Sequence, residues 1–395
     1  MRCKQKSTGR WFAAKVMKAT CPDFTEVSNL KEISILRKIP NHLNVLALVE
    51  SYVNRTTCQV TLIFPLMELN LEEYIRTEGH VSEKRSKEIL YQIINGLNHL
   101  HAHKVFHRDI KPENILLRAD LVVIGDLGSL QFIKAKGLHT EYIATRWYRS
   151  PECLLTEGYY SYELDIWAAG CVFYETLTGF PLFPGDSEVD QLDRIHQVLG
   201  TPKPEVLKKF EKYKSSNFTY QFKQYLGTGI NVSVPLNEKG KKLLYEMLKY
   251  DPKRRATAPK ILTNPYFADL TALKQYIEQK QVMNKIAKKT CGMKISHPNH
   301  LLAKSSHRTD MSKFIQSDLN TTQQTKRTKS DFLTHQVPLM RQYRFDQSST
   351  CLLHPKNRSR IEKRQKEAAE ESRRKIQNEF QERKSKIKQK LNLLF

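Results

Sequence analysis

His107-Arg108-Asp109-Ile110-Lys111-Pro112-Glu113-Asn114 is the stretch on which the reading of this chain turns. It follows a segment in which Ile89, Ile93, Ile94, Leu97 and Leu100 share one helical face, with Ser82 as N-cap, and it precedes the apolar run Ile115-Leu116-Leu117. Twelve residues after Asn114 comes Asp126-Leu127-Gly128, led in by Leu121-Val122-Val123-Ile124. Thr140-Glu141-Tyr142, Ala144-Thr145-Arg146-Trp147-Tyr148-Arg149 and Ser150-Pro151-Glu152 follow in that order. Upstream, Trp11-Phe12-Ala13-Ala14-Lys15-Val16 and Val60-Thr61-Leu62-Ile63-Phe64 read as strands, and Val27, Leu30, Ile33, Ile35, Leu36 and Ile39 recur at near-helical spacing between them. Residues 164–178 and 240–249 read as buried helices, and Asn264-Pro265-Tyr266-Phe267 closes the densely apolar part.

The chain has 395 residues, enough for two or three units at roughly 100–200 residues each. No apolar run reaches membrane-spanning length, and Met1-Arg2-Cys3-Lys4-Gln5-Lys6 leads into no apolar stretch, so neither a spanning helix nor a secretory leader is expected. Seven scattered cysteines with no CxxC argue against a zinc site or a disulfide framework and for a reducing compartment, cytosol or nucleus. The net charge of +24 is uneven: residues 268–395 hold 28 Lys/Arg against 12 Asp/Glu. Residues 268–360 read as a basic, low-complexity linker poor in core-forming residues. Residues 361–395 read as a charged helical tail, with Glu362/Lys366, Glu370/Arg374, Glu371/Lys375, Glu379/Arg383 and Glu382/Lys386 at i,i+4. Such a tail could attract nucleic acid, but no aromatic residues are interleaved to stack on bases, so nucleic acid is not the expected partner.

Taken in order, the motifs resemble the signature set of a protein kinase. Phosphoryl transfer asks a protein mainly to position a triphosphate, neutralise charge and orient a hydroxyl. The resemblance implies Asp109 as acceptor of the substrate hydroxyl proton and Lys111 as the charge facing the moving phosphoryl group. Asn114 and Asp126 would be the oxygen ligands of Mg²⁺. Lys15, paired with Glu32, would hold the α- and β-phosphates of ATP.

Residues 1–267 resemble the CMGC group of Ser/Thr kinases, and within it the branch related to MAP kinases. The likeness rests on Thr140-Glu141-Tyr142, on Ala144–Glu152, on Ile195-His196-Gln197-Val198-Leu199-Gly200-Thr201-Pro202 and on Asp251-Pro252-Lys253-Arg254-Arg255. It implies an α+β, bilobal protein kinase fold, with a small β-rich N-lobe over residues 1–67 and a larger helical C-lobe over 68–267. A basic, largely disordered tail ending in a charged helix would follow. Phe64 would stand as gatekeeper beside the adenine, with Pro65 and Met67 reading it through the hinge backbone and Leu116 completing the nucleotide site. Leu36, Leu48, His107 and Leu127 would stack between the lobes. Thr140 and Tyr142 would be regulatory phosphorylation sites, with Arg146 and Arg149 pairing the phosphotyrosine and Arg108 the phosphothreonine. Thr145 would contact Asp109 and Lys111, Glu152 and Arg255 would form a buried pair, and Asp165 would brace the catalytic loop.

The sequence departs from the family pattern before Lys15, where no Gly-x-Gly-x-x-Gly appears. The first strand and the Gly-rich loop therefore read as missing, by a truncated gene model or alternative start rather than an evolved loss. Gln131 and Lys31 stand where MAP kinases often carry arginines for the phosphothreonine, which shifts the expected weight of activation to Tyr142. The expected activity is ATP- and Mg²⁺-dependent, proline-directed Ser/Thr phosphorylation of protein substrates. It would be switched on by an upstream kinase or by autophosphorylation, in a monomer of the cytoplasm and nucleus, with the cilium suggested by analogy. The alternative is a pseudokinase or scaffold.

Overall fold

The computed structural model describes residues 1–20, 30–54, 56–79, 81–132, 146–213, 221–232, 235–290 and 314–316. The β-rich start of the chain forms two antiparallel hairpins. One joins β1 (Arg2–Gln5) to β2 (Trp11–Thr20), and the other β3 (Glu50–Val53) to β4 (Gln59–Pro65). β2 and β4 pair antiparallel with Lys15 opposite Leu62, which joins the hairpins into one sheet. Val60, Leu62 and Ile63 are fully buried on β4, which lies between β2 and β3 in the small-lobe sheet. Helix α1 (Lys31–Lys38) lays buried Ile33 and Ile35 into the core.

The larger lobe is helical. Asn70 opens α2 (Leu71–Glu78) with a reciprocal capping box to Glu73, satisfying two otherwise orphaned amides. In α3 (Glu83–Ala102) the apolar face expected from spacing is buried, and the Ser82 hydroxyl accepts from the Arg85 amide. Between them, β5 (Leu69–Asn70), β7 (Ile115–Arg118) and β8 (Leu121–Ile124) form a three-stranded sheet, while β6 (Val105–Phe106) pairs with β9 (Gln131–Phe132). These short strands pin both ends of the two loops that matter most, 107–114 and 125–130. Beyond α4 (Pro151–Leu155), helix α5 (Glu163–Thr178) is apolar on nearly every side and is buried accordingly. Helices α6 (Glu188–Leu199), α7 (Pro204–Glu211), α8 (Glu238–Met247) and α9 (Ala258–Leu262) complete the lobe.

A buried asparagine joins the lobes. The Asn44 carbonyl accepts from the Ile124 amide at 3.0 Å, and the Leu46 amide donates to the Ile124 carbonyl at 2.9 Å. The Asn44 side chain donates to Gln92 Oε1 and to the Val122 carbonyl, and accepts from Asn95 Nδ2. An unpaired buried amide would be costly, so these bonds fix the loop before β3 onto α3 and β8.

The bilobal α+β architecture agrees with expectation, and residues 268–290 add to it. Instead of a bare linker, α10 (Thr271–Thr290) runs on from the core with Ile277 buried, and Gln281 Nε2 lies 2.8 Å from His42 Nε2. Its sequence lacks Gly and Pro and is rich in Lys and Gln, good helix formers, which supports a helix even where apolar residues are sparse. A further strand, β10 (Phe314–Gln316), pairs antiparallel with β1 and gives the small-lobe sheet the order β10-β1-β2-β4-β3. The segment 361–395 lies outside the described residues. No described helix is long and apolar enough to cross a membrane.

The Asn44 clamp yields a prediction at Gly96 of α3. A Cβ there would sit 2.6 Å from the Asn44 backbone oxygen and 2.8 Å from Ile124 Cδ1. Gly96→Ala should therefore destabilise the protein by roughly 1–3 kcal/mol despite the better helix propensity of alanine, read as a lower urea midpoint. Unchanged or raised stability would contradict the clamp.

Candidate active site

Loop 107–114 leaves β6, passes through a single 3-10 turn at Pro112–Asn114 and enters β7. Its backbone is held from below by Asp165 on α5, a fully buried carboxylate. Asp165 Oδ2 accepts from the His107 amide at 2.8 Å and Oδ1 from the Arg108 amide at 2.8 Å, while His101 Nε2 lies 2.9 Å from Oδ2. Arg108 is left-handed, with φ at 73°, a costly conformation for a residue with a Cβ. The Asp165 bond and the bond from Arg108 Nε to the Ser129 carbonyl at 2.6 Å hold it there.

This bracing presents Asp109, only 7% exposed, at a fixed position. Asn114 Nδ2 donates to both the Asp109 carbonyl and Oδ2, each at 2.8 Å, and Lys111 Nζ stands 3.2 Å from Oδ2. His107 ties this loop to the next one. Its Nδ1 accepts from the Asp109 amide, so Nε2 carries the proton and donates to the Gly125 carbonyl at 2.8 Å. A Cβ at Gly125 would fall 2.7 Å from Leu116 Cδ1, so a larger residue there would have to displace that side chain.

Asp126 follows in a left-handed conformation, φ 44°, and meets Lys15 Nζ from the small lobe at 2.9 Å. Burial alone would raise the Asp126 pKa, but the hydrogen bond and charge of Lys15 overcome it, so the carboxyl titrates below its ordinary value. Both side chains stay partly exposed, at 43% for Lys15 and 40% for Asp126, so the pair faces an open cleft. Phe64 is buried on β4, Pro65 and Met67 are half-buried after it, and Leu116 is half-buried on β7. The donor set suits a hard cation: Asp126 offers a carboxylate, and Asn114, whose amide nitrogen is spent on Asp109, keeps its carbonyl oxygen.

Glu152 and Arg255 pair as the sequence suggested, through two bonds of 2.6 and 2.9 Å with both side chains buried. Arg255 also donates to the carbonyls of Glu163 and Lys249 and lies over the Trp167 ring at 5.2 Å, so four of its five N–H donors are engaged. Arg149 reaches Glu188 at 3.3 Å, and the Nε of Arg146 is buried with no partner among the described residues. Leu127 is buried, His107 is fully buried, and Leu36 and Leu48 pack against the same core. Lys15 is brought to Asp126; the side chain of Glu32, and all of Thr140, Tyr142 and Thr145, lie outside the described residues.

Two contributors had no signal in the sequence. Asn44 finds its partner Gln92 48 residues away, and no local pattern marks such a pair. Glu175 of α5 accepts from the Tyr148 hydroxyl at 2.7 Å, and burial, then the charges of Glu113 and Glu72, push its carboxyl up to about 7.

Two lobes thus meet across a cleft, with a buried aspartate fixed on one loop and a lysine–aspartate pair spanning the gap. Residues 1–267 match the protein kinase domain family. The human MAPK/MAK/MRK overlapping kinase is 42% identical over 271 residues, covering 68% of this chain and 64% of that protein. Its mouse counterpart is 43% identical over 269 residues, with the same shares of 68% and 64%. The mouse serine/threonine-protein kinase MAK is 37% identical over 289 residues, 71% of this chain and 46% of that kinase. The chain belongs to the protein kinase family, with CMGC-group Ser/Thr kinases as its relatives. It spans less than two thirds of the length of these relatives.

The raised Glu175 pKa has a signed consequence. Between its ordinary value of 4.5 and about 7, the folded chain binds more protons at this carboxyl than the unfolded chain does. Stability therefore falls as pH rises through that window, and Glu175→Gln, which still accepts from Tyr148, should remove the loss. The variant should match the parent near pH 5 and exceed it in Tm at pH 8; parallel curves would contradict the assignment.

Proposed function

We propose that the chain is an ATP- and Mg²⁺-dependent protein serine/threonine kinase that moves the γ-phosphoryl group of ATP to Ser and Thr hydroxyls of protein substrates. The observation that carries this reading is the Asp109 carboxylate, held by Asn114 at 2.8 Å and flanked by Lys111 at 3.2 Å, below a cleft crossed by the Lys15–Asp126 pair. Asp109 orients the incoming hydroxyl and takes its proton as the oxygen attacks phosphorus. Lys111 balances charge on the transferring group, and Lys15 orients the α- and β-phosphates. Phe64, Pro65, Met67 and Leu116 receive the adenine. Asp126 and Asn114 would hold a Mg²⁺ ion, which would supply charge neutralisation for the phosphates.

Finer features rest on the family resemblance. Substrates are proline-directed, and phosphorylation of Thr140 and Tyr142 by an upstream kinase or in autophosphorylation switches the enzyme on. The Nε of Arg146, buried with no partner among the described residues, supports a site that receives a phosphate. The protein acts as a monomer in cytoplasm and nucleus, with the cilium as a further location by analogy.

The test is transfer of labelled phosphate from ATP by the full chain to a generic basic Ser/Thr substrate. Asp109→Asn keeps an acceptor for Asn114 but removes the base, and should lower kcat by about 10²–10⁴-fold with little change in Tm. Transfer that survives in the variant, or is absent from the folded parent, would overturn the reading and leave a scaffold in its place.

A further inference from the structure

The small-lobe sheet ends in a strand contributed by the tail. β10 pairs with β1 in antiparallel register, with Cys3 opposite Gln316, Lys4 opposite Ile315 and Gln5 opposite Phe314. In the described sheet β10 lies outermost and takes up the outward-facing backbone groups of β1. The 23 residues between Thr290 of α10 and Phe314 reach up to ~80 Å when extended, ample to bring the tail back over the lobe.

The tail sequence fits this one place. Phe-Ile is a strand-favouring pair in a segment otherwise dominated by Ser, Thr, Gln and Asn. Around it, Asp310 and Asp318 balance Arg308 and Lys313, within a region that is otherwise strongly basic. β1 and its turn present Arg2, Lys4, Lys6 and Arg10, so a near-neutral stretch of the tail meets the basic hairpin with less repulsion than the rest of the basic tail would.

We propose that the segment centred on Phe314–Gln316 is an intramolecular β-augmentation ligand for β1, and that the tail is thereby anchored to the small lobe in cis. β1 is hydrogen-bonded to β2, the strand that carries Lys15, so the docked segment stiffens the sheet that positions the phosphate-binding lysine. The anchor does not depend on the chain being an active kinase.

Adjacent pairs of an antiparallel ladder alternate between hydrogen-bonded and non-hydrogen-bonded, and the latter bring Cα atoms within disulfide range. Two full-length variants therefore cover both cases: Gln316→Cys, opposite the native Cys3, and the double change Lys4→Cys with Ile315→Cys. Under mild oxidation at low protein concentration, peptide mapping should find the 3–316 or the 4–315 crosslink within one chain. As a second readout, the pair Phe314→Pro and Ile315→Pro should speed amide hydrogen exchange at Lys4 by tenfold or more, because the Gln5 amide is bonded back to the Arg10 carbonyl and strand alternation turns the Lys4 amide toward β10, while α5 and α8 keep their protection. A crosslink in neither register with unchanged exchange would overturn the proposal. So would a crosslink found only between two chains, which would make the strand an exchanged element of a dimer.

Discussion

The Asp165 carboxylate is the interaction on which the site depends. It is fully buried on α5, the helix around which the large lobe packs, and it accepts from two consecutive amides of the loop 107–114. A buried charge is tolerable only with such partners, and a left-handed Arg108 is tolerable only when held there. Each cost offsets the other's reason to relax. The result is an Asp109 whose position is set by core packing rather than by the solvent-facing surface. From that point the chain of bonds runs outward: Asn114 to Asp109, His107 to Gly125, and Lys15 across the cleft to Asp126.

The electrostatics follow the same division. Arg255 and Glu152 are buried, bidentate and surrounded by carbonyl acceptors and an aromatic ring, so that pair is a fixed part of the core. Lys15 and Asp126 are half-exposed and joined by one bond, which leaves both able to exchange partners, as the proposed binding of phosphates and a cation would require. A rigid ion pair under the site and a labile one across it are what a transfer enzyme requires, since the first fixes geometry and the second must be replaced by ligand.

The loops that carry the proposed catalytic residues were legible in the sequence because those residues sit close together in the chain or in a fixed order: Asp109, Lys111 and Asn114 within one loop, Asp126 and Glu152 downstream. The strands and helices near them were legible because Leu97 or Ile63 repeat with the period of one element. The remainder lacks a local signature. Asn44 is an ordinary polar residue until Gln92, Asn95 and Val122 surround it. Glu175 looks like a surface glutamate on a helix until burial and neighbouring carboxylates raise its pKa. Helix α10 and strand β10 lie where composition speaks only of a polar, basic linker, and long-range pairing cannot be read from composition.

Amide hydrogen exchange in Asp165→Asn tests most directly whether this carboxylate organises the site. Loss of the charged acceptor should speed exchange at His107 and Arg108 by about tenfold or more, consistent with charged hydrogen bonds of ~1.5–3 kcal/mol, while amides of α8 and α9 stay protected. Unchanged protection at His107 and Arg108 in a folded Asp165→Asn protein would mean that something other than Asp165 holds the loop, and would contradict its role as the organiser of the site.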